Sequence, residues 1–310
     1  MDGLALVTGA TGFIGSRLSE SLLAAGRRVR VLVRDPERAS RLRARGAEVC
    51  TGDVTDPASI AGAAEGADVA YFLVHAMAGG AGFHERERQG AENFARMTLA
   101  GGVSRIVYLG GLGEEPASPH LRSRHETALA LERHGPPLTY FRAAMVVGAR
   151  SESYRTLRYL VKRLPVMIAP AWLGTATQPI GLADVVEYLA RAPDVAASAG
   201  REVQIGGPDI LSYGDMLDRM ALAMGVRPRP RLPVPLISPW LSALWLGLVT
   251  PVDTNVARPL VEGLRTETTV ADPSGAEPFG IEPESFDDAL RAALAEERGP
   301  AAEPARAPAP

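Results

Sequence analysis

A chain of 310 residues can bury a large core, as one large domain or two unequal ones. The net charge of -3, with no Lys/Arg-rich block, gives no electrostatic case for a nucleic-acid partner. A single cysteine, Cys50, excludes a disulfide framework and a thiolate metal site, so no metal is expected.

Residues Leu4 to Gly15 read LALVTGATGFIG. Leu4 to Val7 is the short apolar run of a buried strand. Gly9, Gly12 and Gly15 follow at the spacing TGxxGxxG, and Phe13 to Ala24 has the apolar spacing of a helix. Such a strand–turn–helix aims the N–H groups of the helix start, and the positive end of its dipole, at whatever lies over the turn. An anion such as a pyrophosphate suits that position. Glycine admits close approach of the phosphates and of helix to strand. The motif predicts a dinucleotide site; the competing reading is a purely structural glycine turn. The chain enters this strand with no basic or apolar leader, so a cytoplasmic location is expected.

Strand and helix then alternate, predicting an α/β fold: a Rossmann-type doubly wound parallel sheet with helices on both faces. Arg28 to Val33 is the second strand, and Asp35-Pro36-Glu37 reads as an N-cap, an N1 proline and an acidic first turn. Ala47 to Cys50 is the third strand, with Cys50 as a buried small hydrophobe, and Asp56-Pro57 opens another helix. Asp68 to Val74 is a continuous apolar strand of the sheet centre. A helix over His84 to Ala100, a strand over Arg105 to Leu109, a helix over Leu121 to His134 and a sixth strand over Leu138 to Val147 complete this part.

From Gly148 the alternation fails. Helices over Ser153 to Leu164 and Asp184 to Ala192, short strands over Gln178 to Leu182 and Glu202 to Ile205, and a helix capped by Ser212 suit a smaller lobe over the carboxyl ends of the strands. The expected division is a dinucleotide-binding domain over 1–148, a smaller mixed α/β substrate lobe over 149–298, interleaved with the core, and a disordered tail over 299–310. Residues 232–252 carry no charge, but Pro233, Pro235, Pro239 and Pro251 leave too short a helix for a transmembrane span. A buried helix is the plain reading. The apolar wall of a substrate pocket, a homodimer contact and a peripheral membrane contact are the alternatives.

The TGATGFIG turn, VLVRDPER after the second strand, GDVTDP after the third and the continuing βαβ order resemble the short-chain dehydrogenase/reductase superfamily. The likeness is to its atypical, NmrA-like NAD(P)H-binding branch and covers Leu4 to Pro208. The resemblance implies that Gly9, Thr11, Gly12, Phe13, Ile14 and Gly15 line the pyrophosphate. It implies that Asp53 takes the adenine amino group beside the Val54 backbone, and that Val74 and His75 border the adenine-side ribose. Asp53 as a mere turn residue and His75 as a mere loop residue are the plain readings.

Cofactor choice turns on Arg34, at the end of the second strand, where a side chain reaches the 2′ position of the adenine ribose. A guanidinium can grip a 2′-phosphate in bidentate fashion, so NADP is expected over NAD. Arg38, one turn on, adds charge, while Asp35 is expected to be tied up as a cap.

The superfamily's active members carry a Tyr, a Lys four residues later and an upstream Ser. Here the matching segment reads His120-Leu121-Arg122-Ser123-Arg124, no tyrosine has Lys at +4, and Leu109 to Gly113 places glycines where the Ser would stand. In one reading His120 donates the proton and Arg124, one helical turn on, anchors the nicotinamide ribose. In the other, both are helix-surface residues. His84, His125 and His134 carry weaker cases. The leading function is NADP-dependent hydride transfer to a small, rather apolar carbonyl, enone or quinone-like substrate. A non-catalytic NAD(P)H-binding sensor or regulator comes second, and a sugar-nucleotide epimerase or dehydratase third.

Overall fold

The computed structural model describes residues 3–74, 83–113, 119–169, 171–233 and 266–298. Its centre is a seven-stranded sheet made of β1 (Leu4–Thr8), β2 (Arg28–Val33), β3 (Glu48–Thr51), β4 (Ala67–Phe72), β5 (Arg105–Gly111), β6 (Leu138–Ala143) and a late strand, Arg201–Ile205. The order is Arg201–Ile205, β6, β5, β4, β1, β2, β3, and every pairing is parallel. The chain moves outward from β1 to β3 and then resumes at β4 on the other side of β1. This reversal opens a crevice at the carboxyl ends of β1 and β4, where open α/β sheets take their ligands.

Alternation along β1 sends its side chains to opposite faces. Ala5 and Val7 join a core with Val31, Val107 and Phe141 under two helices, α1 (Phe13–Ala24) and one over Leu182–Arg191. Leu4 and Leu6 join a second core with Phe72, Phe94, Tyr108 and Leu131. Helix α2 (Ser40–Ala44) is a short turn at the edge, while α3 (Phe83–Ala100) and α4 (Pro119–His134) cover the second core. With both faces covered, every residue of β1 is buried, which explains the unbroken apolar run.

The lobe is built from β7 (Val146–Val147), α5 (Glu152–Arg163), β8 (Met167–Ala169), β9 (Ala176–Thr177), β10 (Ile180–Gly181), α6 (Leu182–Arg191), β11 (Arg201–Ile205), β12 (Leu211–Ser212), α7 (Tyr213–Ala223), β13 (Arg231–Pro233) and α8 (Phe286–Arg298). Of these, β11 and α6 serve the main sheet. A third core joins Tyr154, Leu157 and Leu160 of α5 to Met216, Leu217 and Met220 of α7 and to Phe286, Leu290 and Leu294 of α8. Ser212 caps α7 in a capping box with Asp215.

The structure corrects four expectations. No helix follows Asp56-Pro57: residues 54–66 run as a chain of turns with separate i to i+3 bonds, broken by Gly62 and Gly66 at φ +75° and +71°. The sixth strand stops at Ala143, and Val146–Val147 pairs instead with β10. Strand 202–205 lies in the main sheet, not in the lobe, because Val203 and Ile205 fill the first core. Cys50 is half-buried, packed against the rim of the second core.

The helix cap at Asp35 is as expected: its carboxylate accepts from Glu37 N–H at 3.0 Å. His75, the side chain of His120, residues 234–252 of the uncharged stretch and the tail 299–310 lie outside the described residues. Among the described residues no helix is long and apolar enough to cross a membrane.

The C-terminal segment straps sheet and lobe together. Phe279 enters the first core with its ring 5.4 Å from both Phe141 and Tyr188, and α8 then fills the lobe core. Between them Glu284 donates its N–H to the buried Asp184 carboxylate at 3.2 Å. Both carboxylates crowd Gly181, with Glu284 Oε1 2.4 Å and Asp184 Oδ2 2.9 Å from where a Cβ would stand. Burial pushes Asp184 from 3.8 up to about 6; the Glu284 and Glu187 charges add to this, while N–H bonds from Glu284 and Gly181 oppose it.

The folded chain therefore holds this proton to a higher pH than the unfolded chain. The contribution is fully present below about pH 4, falls as the pH rises towards 6 and levels off above it. Asp184→Asn should remove this slope and add on the order of 2 kcal/mol of stability at pH 7 relative to the parent. Urea unfolding of both proteins between pH 4 and 8 checks it, and parallel pH profiles would overturn it.

Candidate functional site

The glycine turn is fastened to β4. The Thr8 hydroxyl donates to the Tyr71 carbonyl at 3.0 Å and accepts from Leu73 N–H at 3.3 Å. Gly9 then turns at φ +66°, in the left-handed region, with Leu73 O only 2.2 Å and Val74 N 3.1 Å from where a Cβ would stand. Gly15 brings α1 down on the turn, its own Cβ position lying 2.3 Å from Gly9 O. The protein's packing thus requires Gly9 and Gly15.

Gly12 is different. A Cβ there would meet only Gly9 O, at 3.1 Å, and the residue is exposed. It caps α1 without a side-chain hydrogen bond, and the first turn holds no acidic residue. Among the described residues no acceptor meets the N–H groups of Phe13, Ile14 or Gly15. An open cradle beneath unanswered helix donors fits an anion. Phe13 turns its ring aside, so that a Cβ on Gly148 would stand 2.8 Å from Phe13 Cζ.

Next to the turn, at the end of β2, lies a cleft of about 330 Å³ lined by Thr11, Val33, Arg34, Asp35 and Arg38. Arg34 and Arg38 are exposed, and neither forms a hydrogen bond or ion pair among the described residues. Asp35 accepts the cap hydrogen bond and pairs with neither arginine among the described residues. Asp53 stands nearby with Oδ1 accepting from Thr55 N–H at 2.9 Å and from the Thr55 hydroxyl at 2.8 Å. Burial raises its pKa, but the two Thr55 bonds and the Arg34 charge outweigh this and hold it below the ordinary value. It stays ionised, with Oδ2 unbonded among the described residues. Val54 offers less: its carbonyl accepts from Asn93 and its side chain is packed against Gly90.

The other half of the crevice lies past β4, at the end of β5. A Cβ on Gly110 would stand 2.7 Å from the Tyr140 ring and hydroxyl, and one on Gly111 would stand 2.5 Å from Leu121 Cδ2. Neighbouring side chains fill the space of the missing ones. Arg124 reaches this spot, with Cδ 3.6 Å from the Gly111 Cβ position, and its carbonyl accepts from the Tyr108 hydroxyl at 3.3 Å. His120 lies one turn earlier on the backbone of α4. Arg142 ties the glycine run down, donating to Gly111 O at 3.0 Å and to Gly113 O. Only a charge inside the strand LTYFRA hinted at this role. Among the described residues no cluster of His, Cys, Asp or Glu could hold a metal.

Residues 9–144 match the family described as NAD(P)H-binding. The fold is that of the atypical short-chain dehydrogenase/reductase-like proteins. The NADPH-dependent quinone oxidoreductase of Escherichia coli, solved with NADPH, superposes with a TM-score of 0.72 at 19% identity, over 92% of this chain and 98% of that one. The mitochondrial NADH dehydrogenase [ubiquinone] 1 alpha subcomplex subunit 9 of Arabidopsis thaliana is 26% identical over 245 residues, 75% of this chain and 61% of that protein. The ceramide reductase of Caulobacter vibrioides is 29% identical over 168 residues, 53% of each chain. This chain thus spans less than two thirds of the length of both curated relatives.

The glycines separate packing from binding. Gly9→Ala should unfold the protein at markedly lower temperature, since Leu73 O blocks the added carbon. Gly12→Val should cost only about 1 kcal/mol of stability, as a poorer helix cap, yet abolish NADPH binding. Thermal melts and NADPH fluorescence titrations check both. Near-parental NADPH affinity in Gly12→Val would place the cofactor elsewhere.

Proposed function

We propose that this chain is an NADPH-dependent reductase of small, rather apolar carbonyl, enone or quinone-like acceptors. The observation that carries the reading is the Arg34–Arg38 cleft, which meets the glycine turn at Thr11. Two guanidiniums at the end of β2, with no hydrogen bond or ion pair among the described residues, fit the 2′-phosphate that distinguishes NADP from NAD. The N–H groups of Phe13, Ile14 and Gly15 would receive the pyrophosphate over Gly12, with Asp53 Oδ2 left to accept from the adenine amino group and Val74 beside the ribose. His75 is proposed for the same border.

The cofactor supplies a hydride from the nicotinamide C4, and the acceptor becomes an alcohol or quinol by taking that hydride and one proton. Arg124, permanently charged and beside Gly111, would hold the nicotinamide ribose. His120 would give its proton to the acceptor oxygen. The relatives' names support a reductase: one reduces ceramide and a protein of the same fold reduces quinones with NADPH.

A second reading, NADPH binding without turnover, draws on the filled space at Gly110 and Gly111, where a catalytic serine has no room. It also draws on the likeness to a subunit of a larger complex.

Calorimetric titration should show NADPH bound more tightly than NADH. Arg34→Ala should weaken NADPH roughly ten- to a hundredfold and leave NADH nearly unchanged. Equal affinity for both cofactors, unaltered by the substitution, would sink the NADP assignment. Against a panel of quinones, enones and aldehydes, His120→Ala should lower kcat on the order of a hundredfold or more at constant NADPH affinity. Unchanged turnover would remove His120 from the chemistry. Tight NADPH binding with no turnover on any acceptor would favour the second reading.

A further inference from the structure

We infer that Thr266, on the returning C-terminal segment, is the hydroxyl that orients the acceptor, in place of any residue of β5. The inference rests on the reductase reading. The phosphate cleft at the end of β2 puts the adenosine half on one side of β1, so the reacting half extends over β4 and β5. There β5 offers a glycine floor. Tyr140 blocks a side chain at Gly110, one at Gly111 would have to displace the Leu121 side chain, and the Tyr108 hydroxyl is spent on the Arg124 carbonyl, so the end of the strand offers no hydroxyl to an acceptor.

The floor has two walls. Leu121 and Arg124 of α4 form one, while Thr266 and Thr268 form the other, with methyl carbons 3.8 Å and 3.5 Å from where a Cβ on Gly113 would stand. The hydroxyls around it differ in commitment. Tyr108 donates to Arg124 O, Ser123 donates to Glu87, and Thr268 donates to Thr177 at 2.7 Å. Tyr213 shares its hydrogen bonds with Thr177 and Thr268, and Tyr140 is buried and stacked on Tyr108. Thr266 is half-buried, and its hydroxyl has no partner among the described residues.

Its position is nevertheless set. Two residues on, Thr268 donates its N–H to Ala176 O at 3.1 Å and accepts from Gln178 N–H at 2.9 Å, while Arg142 fixes the facing carbonyls of Gly111 and Gly113. A hydroxyl with no partner among the described residues, on a segment anchored two residues away, is preorganised to donate to one oxygen. As hydride reaches the acceptor carbon, its oxygen gains the negative charge that this hydrogen bond stabilises. Thr266 keeps its proton, and the oxygen is protonated separately.

Thr266→Val removes the hydroxyl and keeps the shape. With NADP+ bound no hydride is available, so binding of 1,4-naphthoquinone to that complex can be titrated without reaction. The variant should bind naphthoquinone roughly tenfold more weakly and show kcat/KM with NADPH reduced roughly ten- to a hundredfold. NADPH affinity and melting temperature should stay as in the parent, and Thr266→Ser should restore both losses. Equal naphthoquinone affinity and turnover in Thr266→Val and an active parent would overturn the assignment alone. A parent that binds NADPH but neither binds nor reduces any acceptor would overturn the reductase reading and Thr266 with it.

Discussion

A left-handed glycine pressed against the end of a neighbouring strand sets the geometry on which the site depends. Gly9 has room for no side chain because the Leu73 carbonyl occupies that space, and its φ of +66° would strain any other residue. The turn therefore leaves β1 level with the end of β4, and Gly15 lets α1 begin directly above it. The helix donors are aimed into the crevice by backbone geometry alone. No side chain needs to be held in place to make the anion cradle, and its aim is fixed by the two cores that clamp β1 from either face.

The two ends of that crevice differ in kind, and on the proposed reading the difference gives a bound dinucleotide its direction. At the end of β2, Arg34 and Arg38 face a cleft and form no ion pair within contact distance among the described residues, while Asp35 beside them accepts the cap hydrogen bond. At the end of β5 the floor is glycine; Arg142 is engaged with backbone carbonyls and Glu202, Glu87 is engaged with Ser123, and Arg124 stands beside Gly111. On the proposed reading the arginine-lined end takes the phosphates and the glycine floor takes the acceptor.

What the sequence made legible was local. The TGxxGxxG turn, the Asp35-Pro36 cap and the apolar runs each act within a few residues, so strand β2 and helix α1 fall where their pattern places them. Non-local choices were not legible. Nothing in Arg201–Ile205 says that it will pair with β6 rather than stay in the lobe; that follows from the space for Val203 and Ile205 in the first core. After Asp56 the cap signal was real, since its carboxylate does accept from Ala58 N–H. Gly62 and Gly66 then broke the helix it announced. The glycines at the end of β5 showed that a serine was missing but not what had taken its space, because Tyr140 and Leu121 arrive from other elements.

That replacement shifts a burden across the molecule. Where the strand end carries no functional side chain, groups that meet an acceptor must come from α4 and from the segment at 266–270, some 150 residues further along the chain. Such a segment holds a hydroxyl in place only if it is itself anchored, and here the anchoring is extensive. Val270 N–H binds the Gln178 side chain, Ala271 and Asp272 bind Gln204, Phe279 enters the sheet core, and α8 fills the lobe core. The lobe and its strap thus act as one wall of the site as well as a cover for it. On the proposed reading, acceptor specificity can then change through the C-terminal third of the chain while the glycine turn at Gly12 and the cleft at Arg34 stay as they are.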